Sequence, residues 1–366
     1  HWRNVNSKVR AFFVAHHYWL QSTLVLLLLG FILFVTGRNG LILGPDTAAR
    51  FEVAGQVLDG TALRDATSDR PPLFPVVIAT TYVLLRTSFE KSAQLVNAFF
   101  FVANLWLISR IVLKSTRSIF LAYMGLLAAF FSGHFRLLHV QSGEEPMLLF
   151  MMFCSLLFVM RFMRNHKLRE LFLAAFLAAA SPLAKTAGVL TPIAFCVVLI
   201  YLFMHKGINL KELLVLASSS VSLLALWQVR HWLVGEPPHY ESIILADAFS
   251  RISLVAQDVA SILAYYTISI ELGSMLPTTA YIAFAVVVLL AMSKLSGKRL
   301  LGDLVAGNVY HFTHFIGLII LTVISPNSPL RHSAAAFASI ILLVFLTLHR
   351  FFPGTMLHSE GRLRCL

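Results

Sequence analysis

The residues of this chain that could do chemistry are a few carboxylates and cations standing at the ends of apolar runs. Asp46 lies in Gly44-Pro45-Asp46-Thr47, and Glu144 and Glu145 lie in Ser142-Gly143-Glu144-Glu145-Pro146-Met147. Arg70 lies in Asp69-Arg70-Pro71-Pro72, Lys185 in Leu183-Ala184-Lys185-Thr186-Ala187-Gly188, and Arg331 in Ser328-Pro329-Leu330-Arg331-His332. A carboxylate can take a proton from a hydroxyl or an amine. Arg grips a phosphate through two parallel hydrogen bonds, whereas Lys acts on it as a point charge. His134, His139 and His332, together with Asp46 and Glu144, are candidate ligands for a divalent metal ion.

Each of these residues also has a plainer reading. Asp46 can cap a helix, because its oxygens can take the free amides of a first turn. Glu144 and Glu145 at a helix start offset the helix dipole. Lys185 can snorkel to lipid headgroups, and Arg70 and Arg331 can bind them. His311 and His314, one turn apart, suit a polar contact between helices as well as a metal pair.

The elements that must position these groups are membrane spans. The 366 residues are 58% hydrophobic and only 13% charged, with a mean hydropathy of +0.79. A soluble domain carries about a quarter charged residues. Spans need roughly 17–25 mostly apolar residues. Ten are expected, near 20–37, 89–109, 118–135, 146–162, 169–184, 187–204, 211–232, 276–293, 304–324 and 333–349. The first is long enough to span and no small-residue cleavage site follows it, so it reads as a span and not as a signal peptide. With Cys154 and Cys196 inside apolar runs and Cys365 next to the last residue, no disulfide framework is readable.

The apolar run from Pro71 to Leu85 decides the topology, and charge decides how it is read. If it does not span, the cytosolic segments hold 18 of the 29 Lys and Arg but 4 of the 17 acids, as the positive-inside rule requires. If it spanned, Arg110, Lys114 and Arg117, the cluster Arg161 to Arg169, and Lys294 to Arg299 would all lie outside. The run is therefore expected to be a juxtamembrane helix on the outer face, with both termini cytosolic. The net charge of +12 is then a consequence of topology, and no nucleic-acid partner is called for. The non-cytosolic side holds two large loops, about 38–89 and 233–275, with 10 of the 17 acids. The second carries Glu241, Asp247, Asp258 and Glu271, which read as a solvated face or as parts of interfacial helices that choose an acceptor.

The first loop has a recognisable order. Asp46 opens an amphipathic helix in which Phe51, Ala54 and Leu58 recur at helical spacing and Gly60 ends the run. Arg70-Pro71-Pro72-Leu73-Phe74-Pro75 begins a second helix, Pro being tolerated in a first turn. This D-T-x-x-R-F-x-x-A-x-x-x-L-x-G helix followed by R-P-P-L-F-P resembles the C-type glycosyltransferase (GT-C) fold. The resemblance is to the polyprenyl-phosphate-sugar-dependent group related to protein O-mannosyltransferases and the aminoarabinose transferases of lipid A. Glu144-Glu145 at the start of the fourth span, Leu183-x-Lys185-x-x-Gly188, and Arg331-His332 before a late span extend it. It covers about 20–205 well and 206–366 weakly. Thr47 stands where the family often has a second acid, and His332 where it has Tyr.

The resemblance implies a single all-α polytopic membrane domain over 1–366. It implies a glycosyltransferase, inverting, working at the non-cytosolic face of a bacterial inner membrane. The donor is a polyprenyl-phosphate-linked sugar in the bilayer, and the acceptor is a glycan, lipid or protein. Asp46 is implied as general base, with Glu144 and Glu145 as catalytic acids that orient the acceptor or bind a divalent ion. Arg70, Lys185 and Arg331 are implied as the cations that stabilise charge developing on the leaving phosphate. Two other functions fit a polytopic chain. A transporter or flippase places ionisable groups in mid-membrane and shows inverted repeats, and neither is evident here. A non-catalytic subunit that keeps the transferase fold is the main alternative.

Overall fold

A computed structural model describes residues 2–40, 46–61, 71–116, 118–131 and 133–234. Arg70, Arg331, His332, His311, His314, the spans expected over 276–349 and the loop beyond Val234 lie outside the described residues, as does the His134 side chain.

The described chain is helical throughout. Helix α1 runs Trp2–Asn39, α2 Thr47–Leu58, α3 Leu73–Leu85, α4 Phe89–Thr116 and α5 Ile119–Phe131. Then follow α6 Gly133–Val140, α7 Glu145–Asn165, α8 Leu168–Ala184, a 3-10 turn at Thr186–Val189, α9 Leu190–Met204 and α10 Leu210–Val234. Local chemistry sets the breaks. Gly60 ends α2 at φ +70, and Arg86 and His166 take left-handed conformations at the ends of α3 and α7. Asn209 and Glu212 form a reciprocal capping box at α10: Glu212 N donates to Asn209 Oδ1 at 2.9 Å and Asn209 N to Glu212 Oε2 at 2.8 Å.

Among the described residues five stretches are long and apolar enough to cross a membrane: Trp19–Asn39, Phe89–Thr116, Glu145–Asn165, Thr186–Met204 and Leu210–Arg230. Large apolar side chains on them, among them Leu26, Phe34 and Leu226, stay exposed on the protein, as lipid-facing positions must. The protein is an all-α polytopic membrane protein. The span expected over 118–135 falls on α5 and α6, and since α4 ends at one end of the bundle and α7 begins at the other, this stretch carries the chain back across.

In the largest core cluster α7 packs on α8, with α4 and α9 closing the sides, and a second cluster lies under α2 and α3. Leu171, Ala174, Ala175 and Ala178 recur at helical spacing on the buried face of α8 against Met152, Leu156 and Val159 of α7. Small side chains let the two backbones approach, and Ser155 Oγ donates across the gap to Ala174 O at 3.0 Å.

The polarity of the bundle places the loop 40–88. Gln94 Nε2 at the start of α4 donates to Thr36 Oγ1 near the end of α1 at 2.7 Å. The exit of α1 and the entry of α4 are thus at one end of the bundle, and α2 and α3 lie between them at that end. Helix α3, also 13 residues, does not cross. At the opposite end Arg164 Nη2 donates to Lys114 O at 2.6 Å, so α4 and α7 run parallel and both begin at the end that carries α2 and α3.

Candidate functional site

Three elements meet at that end with charged side chains: α2, the start of α7 and the end of α8. Asp46 and Glu144 stand at the N-cap positions of α2 and α7, but neither side chain caps its helix. The expected capping role of Asp46 is therefore not what its carboxylate does. Arg50, one turn into α2, draws both acids. Its Nη2 lies 3.8 Å from Asp46 Oδ2 and its Nε 2.5 Å from Glu144 Oε2. Its Nη1 donates to Ser142 O at 2.7 Å, a contact spanning 92 residues of sequence. The contact with Glu144 is one of charge, since Glu144 Oε2 receives no aligned hydrogen bond.

Glu145, the first residue of α7, is buried and pairs with Lys185, whose Nζ donates to Glu145 Oε1. The L-x-K-x-x-G sequence explains how Lys185 arrives there. Pro182 inside α8 has no N–H for Ala178 O, and Ser181 Oγ lies 2.7 Å from that carbonyl in its place. Lys185 then leaves the helix in an extended conformation, φ −155 and ψ 142. Gly188 folds back so closely on Ser181 and Pro182 that a Cβ there would overlap their backbone atoms. The return of the chain aims Lys185 at the start of α7.

A small cleft opens beside these pairs, lined by Arg50, Pro71, Phe74, Pro75, Glu144 and Ala184. Its walls are apolar on the α3 side and charged on the α2 and α7 sides. Asp46, Glu144, Glu145 and Lys185 are thus gathered at one end of the bundle. Pro71, which follows Arg70 in the chain, reaches the cleft.

Three contributors were not singled out in the sequence. Arg50 joins the two carboxylates, and its signal was the i, i+4 spacing from Asp46. Asn97 and Asn104 are fully buried on α4, and a buried amide in an apolar span is the signal that marks them. Asn97 Nδ2 donates to Gln141 O at 2.5 Å. Asn104 Nδ2 donates to Pro146 O at 2.8 Å and lies 3.1 Å from His139 Nε2.

His139 is buried, with Nδ1 2.7 Å from Phe135 O. Both ring nitrogens face protein partners. The neutral ring donates from Nδ1 and accepts at Nε2. Among the described residues no three His, Cys, Asp or Glu side chains are grouped to hold a metal ion. Of the candidate set Asp46, Glu144 and His139, Arg50 faces the two acids and Asn104 the histidine.

The described residues thus form a polytopic helical membrane protein with paired buried charges at one end. No family model and no curated protein matches the sequence. The chain is similar to the crystal structure of ArnT from Cupriavidus metallidurans bound to undecaprenyl phosphate, with a TM-score of 0.60 and 14% identity. The match covers 92% of this chain and 61% of the ArnT chain, so this chain spans less than two thirds of the length of that protein.

Proposed function

We propose that this protein is a membrane glycosyltransferase that moves a sugar from a polyprenyl-phosphate donor to an acceptor on the non-cytosolic face. The observation that carries the reading is the gathering of Asp46 and Glu144 around Arg50 beside an apolar-walled cleft. A lipid-phosphate sugar needs both halves of such a site. The ArnT structure, solved with undecaprenyl phosphate, supports a donor of that class.

In this reading Asp46 takes the proton from the acceptor hydroxyl or amine as that atom attacks the anomeric carbon. The bond from that carbon to the phosphate oxygen breaks, and the leaving phosphate keeps the electron pair. One displacement inverts the anomeric centre. Arg70, Lys185 and Arg331 are the proposed phosphate cations, Lys185 being drawn from its pair with Glu145 as negative charge arrives. Glu144 and Glu145 hold the charge balance of the site and orient the acceptor. The location proposed is a bacterial inner membrane with the site facing outward.

The test is transfer by purified protein from a labelled polyprenyl-phosphate sugar. Asp46→Asn is expected to abolish transfer while the protein stays folded. An Asp46→Asn protein that turns over donor at the wild-type rate ends the assignment of the base.

A further inference from the structure

We propose that Asn97 and Asn104 are positioning residues, two buried amides on one face of α4 that clamp both ends of the 141–146 segment and so set where Glu144 and Glu145 present their carboxylates. The inference rests on the reading of those two acids as site residues.

The two amides stand two helical turns apart, so they share a face. Both are fully buried. An amide in a span is retained at a cost unless it finds partners, and each of these finds a backbone carbonyl of the same segment. Asn97 Nδ2 takes Gln141 O, which also accepts Gly143 N at 2.9 Å. Asn104 Nδ2 takes Pro146 O. Among the described residues neither Asn97 Oδ1 nor Asn104 Oδ1 meets a donor, so the amides are oriented through their Nδ2 groups: Asn97 by Gln141 O, and Asn104 by Pro146 O together with His139 Nε2. Arg50 holds Ser142 O between them. Three side-chain donors from two helices thus fix the carbonyls at 141, 142 and 146. Residues 142–144 lie between the bridge at Gln141 and the start of α7, outside regular secondary structure, and a Cβ at Gly143 would displace the Glu145 carboxylate. Anchoring from outside is what gives Glu144 and Glu145 defined positions.

Two readouts test the clamp, one of them independent of activity. Ser142 is 2% exposed. With Cys154, Cys196 and Cys365 changed to Ala, Ser142→Cys is expected to react slowly with a small maleimide. Adding Asn97→Leu or Asn104→Leu is expected to raise that rate about tenfold or more, as local opening becomes cheaper. Ser109→Cys, equally buried on α4, is expected to stay slow in the same variants. Unchanged labelling at 142, or equal increases at 142 and 109, overturns the proposal.

In the transfer assay the Leu variants are expected to lose roughly 10- to 100-fold in kcat, with the donor KM within about threefold. Asn97→Asp is expected to regain rate as pH is lowered from about 8 to 6, because a protonated carboxyl can donate to Gln141 O and a carboxylate cannot. Asn97→Leu is expected to show no such recovery. Leu variants with wild-type kcat overturn the positioning role. Wild-type protein that transfers nothing while the labelling contrast holds fails the functional reading and leaves the clamp standing.

Discussion

Arg50 Nε lies 2.5 Å from Glu144 Oε2, and both side chains are mostly withdrawn from solvent, at 9% and 16% exposed. The same guanidinium reaches Asp46 on its own helix. A single cation thus ties the interfacial helix α2 to the first turn of α7, and the two proposed acidic positions are held as one unit.

Removing either member of that pair leaves a buried charge uncompensated, which costs about 3–5 kcal/mol, whereas replacing both by apolar groups is often close to neutral. Arg50→Leu and Glu144→Leu are each expected to lower the thermal midpoint in detergent more than the double variant does. Strict additivity of the two losses would show that the pair does not couple.

Gly188→Ala is expected to destabilise by about 1–3 kcal/mol, as overpacking does. Its Cβ would meet the backbone of Ser181 and Pro182, which cannot turn aside as a side chain would. Thermal denaturation measures the loss. Pairing Gly188→Ala with Lys185→Met should cost less than the sum, because the displaced turn carries Lys185. A Gly188→Ala protein as stable as wild type would remove the argument for the close approach.

The end of the bundle that carries the site should face away from the cytosol. Lys91 at the start of α4 and Lys206 after α9 are both exposed. Lys91→Cys is expected to react with an impermeant thiol reagent in intact cells, and Lys206→Cys only after permeabilisation. The reverse pattern would invert the topology and place the charged cleft in the cytosol.

Apolar periodicity and the separation of Lys and Arg from the acids determined, from the sequence alone, that this chain crosses a membrane and that 71–85 lies at one end of the bundle. Both signals are local or sum over loops, so no contact was needed to read them. The conspicuous charges at Asp46, Glu144, Glu145 and Lys185 were legible for the same reason: a charge beside an apolar run stands out. What the sequence could not disclose was the pairing. Glu144 and Glu145 are adjacent, yet one turns to Arg50 and the other to Lys185, and only the meeting of α2, α7 and the end of α8 decides which goes where. Asn97 and Asn104 look like isolated polar residues in an apolar run until the 141–146 segment folds across them. The two occupied nitrogens of His139 are likewise set by packing. A hydrogen bond between residues tens of positions apart leaves no trace in the spacing of either.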